Sequence, residues 1–132
     1  MRYLLDTNIV SALVRDPNGP LHERVRQEGE SAICTSVIVA AEMRYGAVRR
    51  GSARLTQQLE RVLVGLEILP FEAPADAIYG DLRARLEQMG QPIGAIDFFI
   101  AAHTLALGYT LVTDNEREFR RIPELPVENW LR

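Results

Sequence analysis

Pro92–Asn115 reads PIGAIDFFIAAHTLALGYTLVTDN. Pro92 suits the first turn of a helix, the apolar run carries that helix to Leu107, and Gly108 stops it. Tyr109–Thr113 (YTLVT) is β-rich and uncharged, so it reads as a buried strand. Asp97 is the only formally charged residue between Glu87 and Asp114. Helical spacing places it above Ala101 and Thr104, beside Ile93 and Ile100. A carboxylate in such surroundings is costly unless it finds a partner or takes up a proton. The partner is either an arginine in a structural salt bridge or a metal ion.

Outward from this stretch, helices and strands alternate. Arg2–Leu5 is a short buried strand, followed by the capping residues Asp6-Thr7-Asn8 and a helix over Ile9–Val14. Asp16–Pro20 is a turn, and Leu21–Gln27 a second helix. Ser31–Thr35 reads as a second strand, and Val37 to about Arg49 as the helix behind it. Leu55, Leu59, Val62, Leu63 and Leu66 recur at helical spacing. Glu67–Phe71 is a short strand. A long helix fits Pro74–Met89, with Ala77, Ile78, Leu82, Leu86 and Met89 on one side. A short helix over Asn115–Arg121 and a strand over Val127–Trp130 complete the chain. The expected architecture is one α/β domain over residues 1–132, three-layer α/β/α, with a mainly parallel sheet of four to five strands.

Four acids recur in one context. Asp6 follows the strand RYLL and Asp114 follows YTLVT. In an open parallel sheet the carboxyl ends of the strands face one crevice. Asp97 and Glu42 each interrupt an uncharged run. Taken singly, Asp6 and Asp114 are helix caps, and Glu42 is a solvent-facing residue paired with Arg44 or Arg49. Taken together they form an oxygen-only cluster, which selects a hard cation, Mg²⁺ or Mn²⁺. Such a cation activates water and neutralises charge at a phosphodiester.

Composition narrows the alternatives. The 132 residues carry 15 basic and 18 acidic side chains, a net charge of −3, so nucleic-acid contact must come from a local patch. All fifteen basic residues are arginine, which removes lysine-dependent Schiff-base, P-loop and phospho-aspartate chemistry. Receiver domains need that lysine, and haloacid-dehalogenase-type phosphatases need a second Asp where this chain has Asn8. Cys34, the single cysteine, reads as a small core residue. His22 and His103 lie far from it, so no zinc spacing is present. His103 reads as a polar tip at a helix surface or interface, and Tyr79 and Trp130 as core or dimer packing. No signal peptide or membrane helix is expected, and the expected location is cytoplasmic. Arg44, Arg117, Arg120 and Arg121 are candidate clamps for RNA phosphates, or else members of ordinary solvated helix faces.

The chain resembles the PIN-domain ribonucleases, and within them the VapC-type toxins of bacterial toxin–antitoxin pairs. The resemblance rests on LLDTN (Leu4–Asn8), AAEMRYGA (Ala40–Ala47), PIGAIDFFIAAHTLALG (Pro92–Gly108) and LVTDNEREFRRIPELPVENW (Leu111–Trp130), in that order. It implies a metal-dependent endoribonuclease acting on RNA of the tRNA or rRNA class. The family's acidic positions fall on Asp6, Glu42, Asp97 and Asp114. Asp6, Asp97 and Asp114 would hold Mg²⁺ or Mn²⁺, with Glu42 completing the shell or orienting water. Thr7, Asn8, Thr113 and Asn115 would be supporting polar residues. The resemblance also implies a homodimer, silenced by a cognate VapB-like antitoxin through which alone operator DNA is met. Two other functions fit the same scaffold: a non-catalytic binding module acting through its partner, and a DNA-directed nuclease.

Overall fold

The computed structural model describes residues 1–132. Five short strands form one all-parallel sheet, and the crossovers between them are helical. In chain order these are β1 (Tyr3–Leu5), α1 (Thr7–Arg15), α2 (Pro20–Glu28), β2 (Ile33–Ser36), α3 (Val37–Arg50), α4 (Ala53–Val64), β3 (Glu67–Leu69), α5 (Ala75–Gln88), α6 (Ala95–Leu107), β4 (Thr110–Val112), α7 (Glu116–Phe119) and β5 (Val127–Glu128). The spatial order is β3-β2-β1-β4-β5. β1, β2 and β4 are buried along their whole length, as uncharged strands covered on both faces must be. Right-handed crossovers place α1–α4 on one face and α5–α6 on the other. The packing agrees, since α1, α3 and α4 pack together and α5 packs on α6. No helix is long and apolar enough to cross a membrane.

The order of strands fixes where chemistry can sit. From β1 the chain moves outward through β2 to β3, then returns to the other side of β1 for β4. The crevice at such a reversal opens at the carboxyl ends of β1 and β4. Leu5 of β1 lies beside Val112 of β4, so Asp6 and Thr113 leave the sheet side by side. Behind them a single core runs from Tyr3 to Leu125, including Leu4, Cys34, Phe98 and Phe119. Phe119 is fully buried and anchors the one-turn helix α7 by roughly 1.5–3 kcal/mol.

Several elements differ from the sequence reading. Pro92 is not in the first turn of α6. Gly94 is the N-cap, and Ile93 before it is buried. In α5, Leu82 and Leu86 face the core, but Ala77 lies on the opposite side of the helix and is exposed, and Met89, the C-cap beyond the last turn, is 60% exposed. His103 is not a surface tip. It is 2% exposed, its Nδ1 lies 2.8 Å from Ser36 Oγ, and Phe71 meets its ring edge-on. Burial lowers its pKa, so the imidazole is held neutral. Tyr79 stacks on Phe99 at 4.1 Å, and Trp130 meets Tyr3 edge-on at 5.0 Å with Arg24 over its other side.

Candidate active site

Asp6 occupies the N-cap of α1 and is 2% exposed. Its Oδ1 accepts from Thr7 N at 2.7 Å and from Thr7 Oγ1 at 3.3 Å. Its Oδ2 accepts from Thr113 Oγ1 at 2.7 Å and from Asn8 Nδ2 at 3.4 Å. Burial pushes the Asp6 pKa up, and these hydrogen bonds only partly offset it. The carboxyl is therefore fixed in direction but short of compensating positive charge.

Asn8 and Thr113 stitch the two strand ends together. Asn8 Nδ2 donates to Thr113 Oγ1 at 3.3 Å, and Asn8 Oδ1 accepts from the backbone of Asp114 at 2.9 Å. Thr113 Oγ1 also accepts from Asn115 N at 2.9 Å. One hydroxyl thus ties Asp6, Asn8 and the turn after β4 into a single network.

Asp97 enters from the first turn of α6. Its carboxyl is pushed up to about 7. Burial is the largest cause, followed by a hydrogen bond with the Glu118 carboxyl and by the negative charges of Asp6, Glu118 and Glu42. No arginine pairs with it. The salt-bridge alternative for Asp97 is therefore absent, and its neighbours are other acids. A helix N-terminus favours a carboxylate modestly, and here that effect does not outweigh burial and repulsion.

Glu118 is the site residue that sequence reasoning passed over. The sequence places it on a helix face crowded with arginines. Its carboxyl meets Asp97 and accepts from Asn115 Nδ2 at 3.3 Å. The available signal was its spacing: Glu118 lies next to the buried Phe119, on a short helix starting directly after β4.

Asp114 leaves the sheet just after β4. Its carboxyl turns to the C-terminal segment. Oδ1 accepts from Asn129 Nδ2 at 2.9 Å and from Arg132 Nε at 3.3 Å. Those donors, Asn129 first, lower its pKa. Asn129 Nδ2 also donates to Glu116 Oε2 at 3.0 Å, so the C-terminal segment braces the turn that carries α7. Glu42 is half-buried on α3 and contributes to the charge felt by Asp97. The structure therefore brings Asp6, Glu42, Asp97 and Glu118 into one electrostatic group. No three His, Cys, Asp or Glu side chains already converge at ligand distance from one point.

The expected arginine clamps are partly committed elsewhere. Arg44 pairs with Glu60 at 2.9 Å rather than with Glu42, and Arg120 pairs with Glu116 at 2.8 Å. Arg121 donates to the Pro92 carbonyl at 2.7 Å. Arg117 is exposed and pairs with no carboxylate.

Comparison with known proteins gives a consistent set of likenesses. The PIN domain matches residues 3–125. The chain is 42% identical over 132 residues to "Ribonuclease VapC2" of Rickettsia felis, covering 98% of both chains. It is 35% identical to "tRNA(fMet)-specific endonuclease VapC" of Salmonella typhimurium, again over 98% of each. A solved structure of VapBC2 from Rickettsia felis, bound to a DNA fragment from their promoter, superposes with a TM-score of 0.91 at 38% identity, covering 98% of this chain and 99% of that one.

Proposed function

The chain belongs to the PIN-domain family, and from that premise we propose that it is the toxin of a toxin–antitoxin pair. In this reading, residues 1–132 act as one domain that hydrolyses phosphodiester bonds of RNA, with a tRNA or rRNA as substrate. A VapB-like antitoxin silences it and carries the complex to operator DNA, and the chain works as a homodimer. The observation that carries the nuclease reading is the meeting of Asp97 with Glu118, flanked by Asp6 and Glu42, at the crevice where the sheet order reverses.

This pocket suits a hard divalent cation. Its donors are all oxygen, and the uncompensated charge around Asp97 has nothing else to neutralise it but a proton. Asp97 and Glu118, with Asp6 beside them, would hold Mg²⁺ or Mn²⁺. When bound, the ion supplies positive charge for the phosphate and a water nucleophile at neutral pH. Asp6 stays aimed by its Thr7, Asn8 and Thr113 partners. Glu42, reaching in from α3, orients the attacking water. Asp114 steadies the turn before α7 by accepting from Asn129 at Oδ1.

Attack by water leaves a 5′-phosphate and a 3′-hydroxyl. Attack by the RNA's own 2′-hydroxyl leaves a 2′,3′-cyclic phosphate. End-group analysis of cleaved tRNA, beside a DNA strand of the same sequence, is the test. The expected result is 5′-phosphate ends on RNA and no cut in DNA. Cyclic phosphate ends would overturn the water mechanism, and cleavage of the DNA strand would overturn the RNA preference.

A further inference from the structure

The charge distribution around the helices on the α1 face is uneven. Eight of the fifteen arginines pair with a carboxylate: Arg2, Arg24, Arg26, Arg44, Arg83, Arg85, Arg120 and Arg132. Four of the seven without such a partner lie close together in the fold. Arg15 ends α1, Arg49 and Arg50 end α3, and Arg54 opens α4. These three helices pack on one another. Between them lies a cleft of about 300 Å³. Arg15 and Arg50 stand on its walls, Val14, Met43, Leu55 and Leu59 supply apolar lining, and Glu42 lines it as well.

This arrangement is selective in what it can hold. No carboxylate pairs with any of these four arginines, although the chain as a whole carries a net charge of −3. Arginines at helix C-termini do complement the helix dipole, but that accounts for Arg15, Arg49 and Arg50 singly, not for a shared cleft. Unpaired guanidiniums over an apolar lining match a group with anionic oxygens and a flat hydrophobic part. A nucleotide has both, its phosphate for the arginines and its base for the partly exposed Met43 and Leu55. Ser11 and Glu42 line the cleft too, with Ser11 one turn from Asn8 and Arg15 at the far end of α1, so a strand lying in the cleft would lead along α1 toward Asp6.

We propose that the cleft between α1, α3 and α4 is the nucleotide subsite flanking the scissile phosphate, with Arg15 and Arg50 holding RNA phosphate oxygens. The proposal rests on the ribonuclease reading above. It also replaces Arg44 and Arg120, which their own carboxylates occupy, as the phosphate-gripping arginines.

The test uses the full chain, a fluorescent oligoribonucleotide of mixed sequence, and the variants Arg15→Gln, Arg50→Gln and Arg61→Gln. Arg61 is an unpaired, exposed arginine that does not line the cleft, and serves as the control. Binding is followed by anisotropy across a salt series, and cleavage by steady-state kinetics. The cleft arginines should each weaken RNA binding about 5- to 10-fold. Each should flatten the log Kd against log salt slope by about 0.7. KM should rise while kcat holds within about 3-fold. Arg50→Lys should restore part of the slope, since it keeps the charge. Slopes and KM values equal to those of Arg61→Gln would overturn the subsite while leaving the ribonuclease reading intact. So would variants that keep RNA parameters but lose binding to the antitoxin's C-terminal peptide, because the cleft would then be a protein groove. A wild-type protein that neither binds nor cuts RNA would overturn both.

Discussion

Asp97→Asn removes RNA cleavage, by at least about 100-fold in kcat, and at the same time makes the cation-free protein more stable at pH 8. The two effects have one cause. In the folded chain the Asp97 carboxyl holds its proton up to about pH 7, against an ordinary value of 3.8. Between those values the folded state binds a proton that the unfolded chain has released. Stability therefore falls as pH rises through that window, and the whole penalty is present above it. Asparagine keeps the shape and removes the charge, so the penalty goes. His103 runs the other way, since its lowered pKa costs stability as pH falls below the usual histidine range. It is present in both proteins and cancels in the comparison. Thermal melts in chelator from pH 5 to pH 9 check this. The gap between variant and wild type should be smallest at pH 5, widen up to about pH 7 and level off above it, with the variant melting higher by about 3 °C or more at pH 8. Equal melting temperatures at both ends would show that Asp97 is not held among repelling acids.

Glu118→Gln should cost about 100-fold in kcat with little change in KM, whereas Asp114→Asn should cost less than about 5-fold. Glu118 meets Asp97, whereas Asp114 Oδ1 is engaged by Asn129 and Arg132. Losing the Glu118 charge weakens the grip on the cation and the stabilisation of charge growing on the phosphate. Losing the Asp114 charge loosens a brace, and an asparagine there still accepts from Asn129. Steady-state cleavage of tRNA at saturating Mg²⁺ separates the two. Equal losses, or a larger loss at Asp114, would return Asp114 to the place among the cation ligands that the sequence suggested.

The sequence carried the fold because its signals were local. YTLVT and RYLL are uncharged runs bounded by capping residues, and a buried parallel strand needs little more. Asp97 was legible for the same reason, as a lone charge in apolar surroundings. Side-chain direction was not legible in the same way. Asp6 and Asp114 share a context in sequence, yet one points into the crevice and the other to the C-terminal segment. That choice is set by Asn129, fifteen residues further on, which no local pattern could reveal. Glu118 was obscured by its neighbours, since EREFRR looks like a salt-bridged helix face until Phe119 is seen to anchor it. His103 sits in a run of small and apolar residues, and only the packing of Ser36 and Phe71 shows it buried.

All of the proposed chemistry depends on Asp6, Asp97 and Glu118 serving one hard cation. Titrating chelator-stripped protein with Mn²⁺, and reading free Mn²⁺ by its paramagnetic resonance signal, asks this without any RNA. The expected result is at least one ion bound per chain, displaced by excess Mg²⁺, with affinity falling about 30-fold or more in Asp97→Asn and Glu118→Gln. A wild type that leaves Mn²⁺ free, or variants that bind it as tightly as wild type, would contradict the account.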